Sequence, residues 1–437
     1  MPVTPIEEMS CPVDHTILDP AVQDSPWDFY AELHAQCPVF PVPEIGAVLV
    51  TRYEDVRYVL TNPGLFSSSG RGGGTKKGLQ VDNALRYQEI LRQRGWGHVD
   101  TLQRTDPPKH TDYRRRLNRV FTPRRVKDMA AHIDEVSAEL IQAVMTREVP
   151  TADGGTDRDD RIGETEFVDD FAMPLPGIII AEQLGLPKSE IRTFKRWADA
   201  MLALAMRPLT EEQLMETVET ELEAQHHLAA EFERRRSEPT DDLISALVHS
   251  HGEGEEPLSM HELQNLMHQL ITGGFETTTN ALNHGMWLLT RYPVVQARLR
   301  EDSSLIPAFI EEMLRFEGPV QGLARRATRD VEIAGVTIPT DTMVLVRYGA
   351  ANRDEAAFDD ANEFNIDRDD VHNHMAFGLG AHFCVGAALA RQELVSGFTG
   401  WLDTTTNIEL ARPFDGPVHE PSLLLLPVKE LPLRFTA

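Results

Sequence analysis

The segment FGLGAHFCVG (377–386) holds the residues whose types and spacing best suit chemistry. Its glycines permit a tight turn with dihedrals that other residues avoid. Cys384 then starts a predicted helix through AALARQEL, where free backbone N–H groups and the helix dipole favour a thiolate. A thiolate there can bind a metal, and Gly386 leaves room beside it for a bulky planar partner. The alternative is that Cys384 is simply a small buried hydrophobe. Zinc fails on ligand count, because His382 and Cys384 have no second Cys/His pair at useful spacing. Phe383 also stands where the dinucleotide fingerprint GxGxxG needs its last glycine.

A second cluster lies in LITGGFETTTN (270–280). Gly273 and Gly274 each cost ~1 kcal/mol against Ala inside a helix, and Thr277, Thr278 and Thr279 are β-branched. An acid, Glu276, and hydroxyls beside such a weak point predict a local opening of the helical hydrogen-bond ladder. Close packing at the glycines, with threonines bonding back to carbonyls, fits the same residues. In FIEEMLRFEGP (309–319), Glu312 and Arg315 are three apart and share a helix face. On a surface such a pair is worth about 0.2–0.5 kcal/mol.

These residues must be positioned by a mostly helical chain. From Ser259 to Tyr292 the pattern predicts one helix, opened by a capping box (Ser259 with Glu262) and closed by Pro293. At ~1.5 Å per residue it would span ~50 Å and must run through the centre of the molecule. Val126, Met129, Ile133, Val136, Leu140 and Val144 recur at steps of three and four, an amphipathic helix. The stretch 211–236 is rich in Glu, Ala and Leu. PVFPVPEIGAVLVTR (38–52) and EIAGVTIPTDTMVLVRYG (332–349) each read as a hairpin. Loop composition marks 67–78, 150–166 and 249–257. The first opens roughly 35 residues without a clear helix, long enough to be a functional loop. The fold class expected is mainly α with a small β part (α+β).

Composition narrows the function. The 437 residues include 42 Lys+Arg against 69 Asp+Glu, a formal net charge of −27. That excludes a nucleic-acid binder, which needs a basic stripe. With 41% hydrophobic and 25% charged residues, the chain can bury an ordinary globular core. MPVTPIEEMS has neither the basic nor the apolar region of a signal peptide. FAMPLPGIIIA (171–181) is proline-interrupted and too short for a bilayer, which takes ~20 residues. The three cysteines, Cys11, Cys37 and Cys384, exclude a disulfide scaffold and a four-cysteine cluster. The expectation is a cytoplasmic monomer without a membrane anchor.

FGLGAHFCVG is similar at every specified position to FGxGxHxCxG, the haem-binding signature of the cytochrome P450 family, and other motifs of that family occur in order over most of the chain. The resemblance implies a single P450 domain over 1–437, with β-rich parts at about 38–66 and 332–349 and a helical core at about 104–320 and 384–400. Haem b would be sandwiched between the long central helix and the cysteine-loop helix, its iron held by the Cys384 thiolate. Phe377 would pack against it, with Gly378 and Gly386 close by, and His382 would bond a propionate. In DPPKHTDYRRRL (106–117), His110 and Arg114 match the family's propionate-gripping His and Arg. Arg325 in LARRATRDVEIAG matches a further arginine, its neighbour Arg326 less well. Lys109 departs from the Glu often found there, which should touch surface charge only. LITGGFETTTN resembles A/G-G-x-[DE]-T, so Gly273 and Gly274 would make room for dioxygen, Glu276 would gate proton supply, and Thr277 would steady the dioxygen-derived group. Keeping both Glu276 and Thr277 argues against a peroxide-using relative. Glu312 and Arg315 resemble ExxR, whose buried pair ties to a downstream arginine, here matched by Arg353.

The resemblance also implies a haem-thiolate monooxygenase, an oxidoreductase that hydroxylates or epoxidises with one atom of dioxygen; thiolate donation favours O–O cleavage. The other reading is a non-oxygenase haem-thiolate protein of the same fold, a ligand binder or a reductase. Specificity in the family lies in the loop before His110, around 201–209, at 319–324 (Val320, Leu323) and at 422–426 (Leu424). These stretches are mainly apolar here and imply a small apolar substrate, whether terpenoid, steroid, fatty-acyl or aromatic. Gln269, on the face of Gly273 and Glu276, could offer one polar anchor; a solvated or capped amide fits equally. Electrons would come from a separate ferredoxin and an NAD(P)H-dependent reductase. Arg104, Lys109, Arg114, Arg115, Arg116, Arg119, Arg124, Arg125 and Lys127 face only Asp106 and Asp112 locally, a basic docking face for an acidic ferredoxin.

Overall fold

The computed structural model describes residues 4–5, 11–69, 79–147, 162–206, 209–252, 254–412 and 418–437. Most of the loop-like stretch 67–78, most of 150–166, residues 207–208 of the substrate-side stretch and most of MPVTPIEEMS lie outside the described residues. The helices that bear on the site are α1 (Leu79–Arg94), α2 (Lys109–Val120), α3 (Pro123–Met145), α4 (Pro174–Gln183), α5 (Ile191–Met206), α6 (Glu211–Ser237), α7 (Met260–Arg291), α8 (Ile306–Phe316) and α9 (Ala387–Thr404).

The long helix α7 starts from the reciprocal Ser259–Glu262 capping box and ends before Pro293. Its residues from Thr278 to Leu289 are all buried, so it does run through the core. The expected opening of its ladder does not occur. The helix continues through both glycines, while Thr277 and Thr279 donate to the carbonyls of Gly273 and Phe275 at 2.6 and 3.0 Å. Gly274 is there for packing: a Cβ would lie 2.5 Å from the Ile180 side chain on α4.

α3 shows the expected stripe, burying Val126, Ile133, Val136 and Val144. Its Ser137 hydroxyl reaches the Ser396 carbonyl of α9 at 3.2 Å. α1 was not anticipated, since its sequence is polar and charged and only a few apolar residues point inward. Tyr87 and Leu91 pack with Leu214, Val218 and Leu222 of α6.

The strands form small sheets with buried faces. The predicted hairpin 38–52 appears as β1 (Val39–Val42) and β2 (Ala47–Val50), paired antiparallel with Val39 opposite Val50. With β3 (Phe66–Ser67), β5 (Gly322–Ala327) and β8 (Met343–Arg347) they make one mixed sheet, ordered β1-β2-β8-β5-β3. The stretch 332–349 is therefore divided. Only β6 (Val331–Ile333) and β7 (Val336–Ile338) form a hairpin, while β8 joins the large sheet. A third sheet was unforeseen: β4 (Ile162–Glu166) pairs with β10 (Pro432–Thr436), which pairs with β9 (Asn407–Leu410). No helix of the described residues is long and apolar enough to cross a membrane.

Candidate cofactor and substrate site

A cavity of about 430 Å³ lies against α7 from Asn265 to Ala281 and against the cysteine loop and α9 from Ala376 to Leu394. The loop closes on itself through the Cys384 N–H, which donates to the Phe377 carbonyl at 2.9 Å. Gly378 and Gly380 have φ of +69° and +73°, the left-handed region that glycine enters without penalty. A Cβ at Gly380 would also sit 2.8 Å from the Leu60 carbonyl oxygen. A Cβ at Gly386 would meet only the Cys384 sulfur, at 4.0 Å, so space beside the sulfur is kept. Burial pushes the Cys384 thiol up; the N–H groups of Gly386 and Ala387 and the Arg114 and Arg391 guanidiniums pull it down. Phe377 lies under Arg391, 4.5 Å from ring centroid to guanidinium, and Arg391 is bidentate to Glu311. Cys11 and Cys37 pack in a separate cluster.

His110, Arg114, Arg325 and His382 all line the cavity. His110 is buried, its Nε2 has no hydrogen-bond partner, and its ring centroid lies 4.0 Å from that of His382. Burial and then Arg114 lower its pKa. Arg114 turns inward and donates to the Phe383 carbonyl. Arg325 is 3% exposed and donates to the Ala324 carbonyl at 2.8 Å. No carboxylate is seen paired with it among the described residues. An orphaned buried imidazole nitrogen and a buried guanidinium without a counter-ion are costly unless an anion joins them. The donor set therefore fits a planar group that brings its own carboxylates.

On the α7 side, Gly273 and Thr277 face the cavity, and a Cβ at Gly273 would meet nothing within 4 Å. Gly274 also borders it. Glu276 does not. Its carboxyl accepts from Asn280 at 3.3 Å; burial raises its pKa, with Lys195 opposing. Glu393 of α9 was missed in the sequence, being one acid in a helix with no motif around it. It is buried, borders the cavity, shares a hydrogen bond with Thr278, and is pushed up to about 8 by burial.

Glu312 and Arg315 are both 0% exposed and bonded twice, each at 2.7 Å. Arg315 also donates to the carbonyls of Asn352, Ala361 and Glu363. Arg353 is not the third member expected. Glu317, just past α8, intercepts it at 3.2 Å, and it stacks on Trp27 and Phe316. Arg368 takes the place instead, its Nε 3.5 Å from Glu312. The chain after Arg353 folds back over Glu312, and local spacing does not reveal that.

Val320, Leu323 and Leu424 line the cavity along with Leu102, Ile180 and Met201. Gln269 borders it too, but its amide is not free. It accepts the Gln103 N–H at 3.0 Å and donates to the Thr101 hydroxyl at 2.7 Å. The basic stretch is less bare than its local sequence suggests. Arg116 is buried on Asp112, while Glu255, from the distant 249–257 loop, meets Arg115 and Arg119 at 2.8 and 3.2 Å. Arg125 lies 3.6 Å from Asp241.

The family model described as Cytochrome P450 matches residues 191–404. The chain is 34% identical to the 6-deoxyerythronolide B hydroxylase of Saccharopolyspora erythraea, over 93% of this chain and 95% of that one. It is equally identical to the mycinamicin IV hydroxylase/epoxidase of Micromonospora griseorubida, over 92% and 94%. The solved structure of cytochrome P450 CYP109Q5 from Chondromyces apiculatus superposes with a TM-score of 0.80 at 32% identity, covering 96% of this chain and 97% of that one.

Proposed function

We propose, from the premise that this chain belongs to the cytochrome P450 family and is one of its monooxygenases, that it hydroxylates or epoxidises a small apolar molecule with haem b on Cys384. The observation that carries this reading is the pairing of a half-buried Cys384 thiol with uncompensated His110, Arg114 and Arg325 around one cavity. Haem, when bound, supplies the iron that activates dioxygen.

The chain's own residues do the rest. Arg114, Arg325, His110 and His382 would bind the haem carboxylates, giving the orphaned donors their partners. The Gly386 and Ala387 N–H groups and Arg114 offset the cost of a buried thiolate. Gly273 leaves the α7 wall open, and Thr277 Oγ, now donating to the Gly273 carbonyl, can turn its proton into the opening. Glu276, which does not border the cavity, interacts with Lys195 and Asp199, which are 38% and 52% exposed, and would take up protons from solvent behind the α7 wall. Val320, Leu323 and Leu424 hold an apolar substrate and exclude water. Glu312, Arg315 and Arg368 tie down the segment beneath. We read the chain as a single cytoplasmic domain, acting as a monomer and reduced by a ferredoxin at the exposed cations near α2 and α3.

The test is turnover with a surrogate ferredoxin, its reductase, NADPH and ¹⁸O₂. Product should carry one labelled oxygen. Thr277→Ala should bind the same substrate and consume NADPH but send most electrons to hydrogen peroxide. Unlabelled product, or unchanged coupling in Thr277→Ala, would contradict the assignment.

A further inference from the structure

One turn beside the cavity is strained and braced in a way that the oxidation chemistry does not require. Leu102 has φ of +21°, a conformation that a leucine avoids. Such strain persists where its surroundings over-determine it, and it gathers at binding sites. Here the surroundings are specific. Gln269 of α7 grips the turn from both sides, accepting the Gln103 N–H and donating to the Thr101 hydroxyl. The Thr105 hydroxyl closes the other end on the Leu102 carbonyl at 2.9 Å. The residue this turn presents is Arg104, which is half-buried and borders the cavity.

The other charged groups on the cavity wall are spoken for. Arg125 has Asp241 and Gln183. His110, Arg114, Arg325 and His382 surround the place proposed for the haem carboxylates. Burial holds His268 down to about 4 and Glu393 up to about 8, so both are neutral near pH 7. Behind the wall, the Glu221 carboxylate is taken by Tyr87, His98 and Gln225. The Arg104 backbone N–H bonds the Thr101 carbonyl, but its guanidinium makes no hydrogen bond and no ion pair among the described residues, and unlike His110 it lies outside the place proposed for the haem carboxylates.

We propose that Arg104 is an anion subsite that receives the carboxylate of an otherwise apolar substrate, so that the chain oxidises a carboxylic acid of the fatty-acyl kind. This rests on the monooxygenase reading and narrows its substrate class. Gln269 and Thr277 are eight residues apart on α7, or ~12 Å along the axis. The carboxylate would thus be held well away from the oxidised carbon, with the apolar chain spanning the cavity between them. Gln269 acts as a positioning residue that aims Arg104.

Calorimetric titration of the holoenzyme with dodecanoic acid, 1-dodecanol and dodecylamine at pH 7.5 tests this. A guanidinium–carboxylate bond in a half-buried site should make the acid bind on the order of tenfold more tightly than the alcohol, and the amine should bind weakest. Arg104→Gln should bring the acid to parity with the alcohol while leaving the alcohol's affinity unchanged, which reports an intact pocket. Gln269→Ala should lose part of the acid's advantage in the same way. An acid no tighter than the alcohol in the native enzyme, or an advantage that survives Arg104→Gln, would overturn the subsite. The cofactor reading fails separately: imidazole would then leave the Soret band unmoved, whereas the calorimetric preference does not depend on that band.

Discussion

Under Cys384 the chain is fastened by charge with no access to water; beside Arg104 it is fastened largely at the surface. Glu312 and Arg315 are both 0% exposed, and Arg315 ties two further segments through three carbonyls, that of Asn352 and those of Ala361 and Glu363. On the other side, α1 meets α6 through Arg86–Glu211, whose side chains are 51% and 74% exposed, and α5 meets α6 through Arg196–Glu223, at 50% and 47%. Opening a buried pair strands a charge, whereas an exposed pair simply returns to solvent. The difference suits the two tasks. On the proposed reading, the wall that would hold a cofactor must keep one geometry, and the wall that would admit substrate must yield. The substrate side also has buried anchors, among them Glu221, held by Tyr87, His98 and Gln225.

Removing one partner of the buried pair should break the contrast most severely. Glu312→Ala should cost about 3–5 kcal/mol, because it leaves Arg315 charged and unpaired; chemical unfolding measures it. A loss below about 1 kcal/mol would mean that this wall is no stiffer than the other.

Glu221→Gln should cost less, about 1–3 kcal/mol, since the amide keeps some of the hydrogen bonds. Acid titration sharpens the point. Burial pushes Glu221 up, but His98 and its other donors overcome this and leave it at about 2, below its usual 4.5. A carboxyl lowered on folding contributes stability that is complete above 4.5 and is lost as the pH falls toward 2. Glu311, also at about 2 through Arg391 and His374 despite burial, acts in the same direction on the cysteine side. Glu317, raised to about 7 by burial, acts oppositely: stability falls as the pH rises from 4.5 to 7. Glu221→Gln should therefore flatten the acid limb of a stability–pH curve and leave the Glu317 window unchanged.

The smallest effect is expected at the surface. Arg196→Ala should change stability by no more than about 0.5 kcal/mol once solvent screening is allowed for. A double-mutant cycle with Glu223→Ala gives the coupling, and a value near that of a buried pair would erase the distinction between the two walls.

What was legible in the sequence was local. The Cys384 loop, the capped α7 and the hairpin of β1 and β2 each declare themselves within a few residues, and each appears in the structure. What was hidden depends on segments far apart in the chain. Arg368 rather than Arg353 reaches Glu312 because a turn folds back. Glu255 blunts the basic stretch from more than a hundred residues away. β4 finds its partner only in β10 near the chain's end. Gln269 has the position expected for a substrate contact but is engaged by a turn whose strain no local pattern announces.

The proposed haem-thiolate chemistry stands or falls on Cys384 as the residue that would bind the iron. The measurement is the absorbance spectrum of the reduced protein under carbon monoxide, compared among the native chain, Cys384→Ala and Cys37→Ala. The native protein and Cys37→Ala should show the red-shifted Soret band of thiolate ligation, and Cys384→Ala should lack it. A band that survives in Cys384→Ala, or is lost in Cys37→Ala alone, would contradict the central claim.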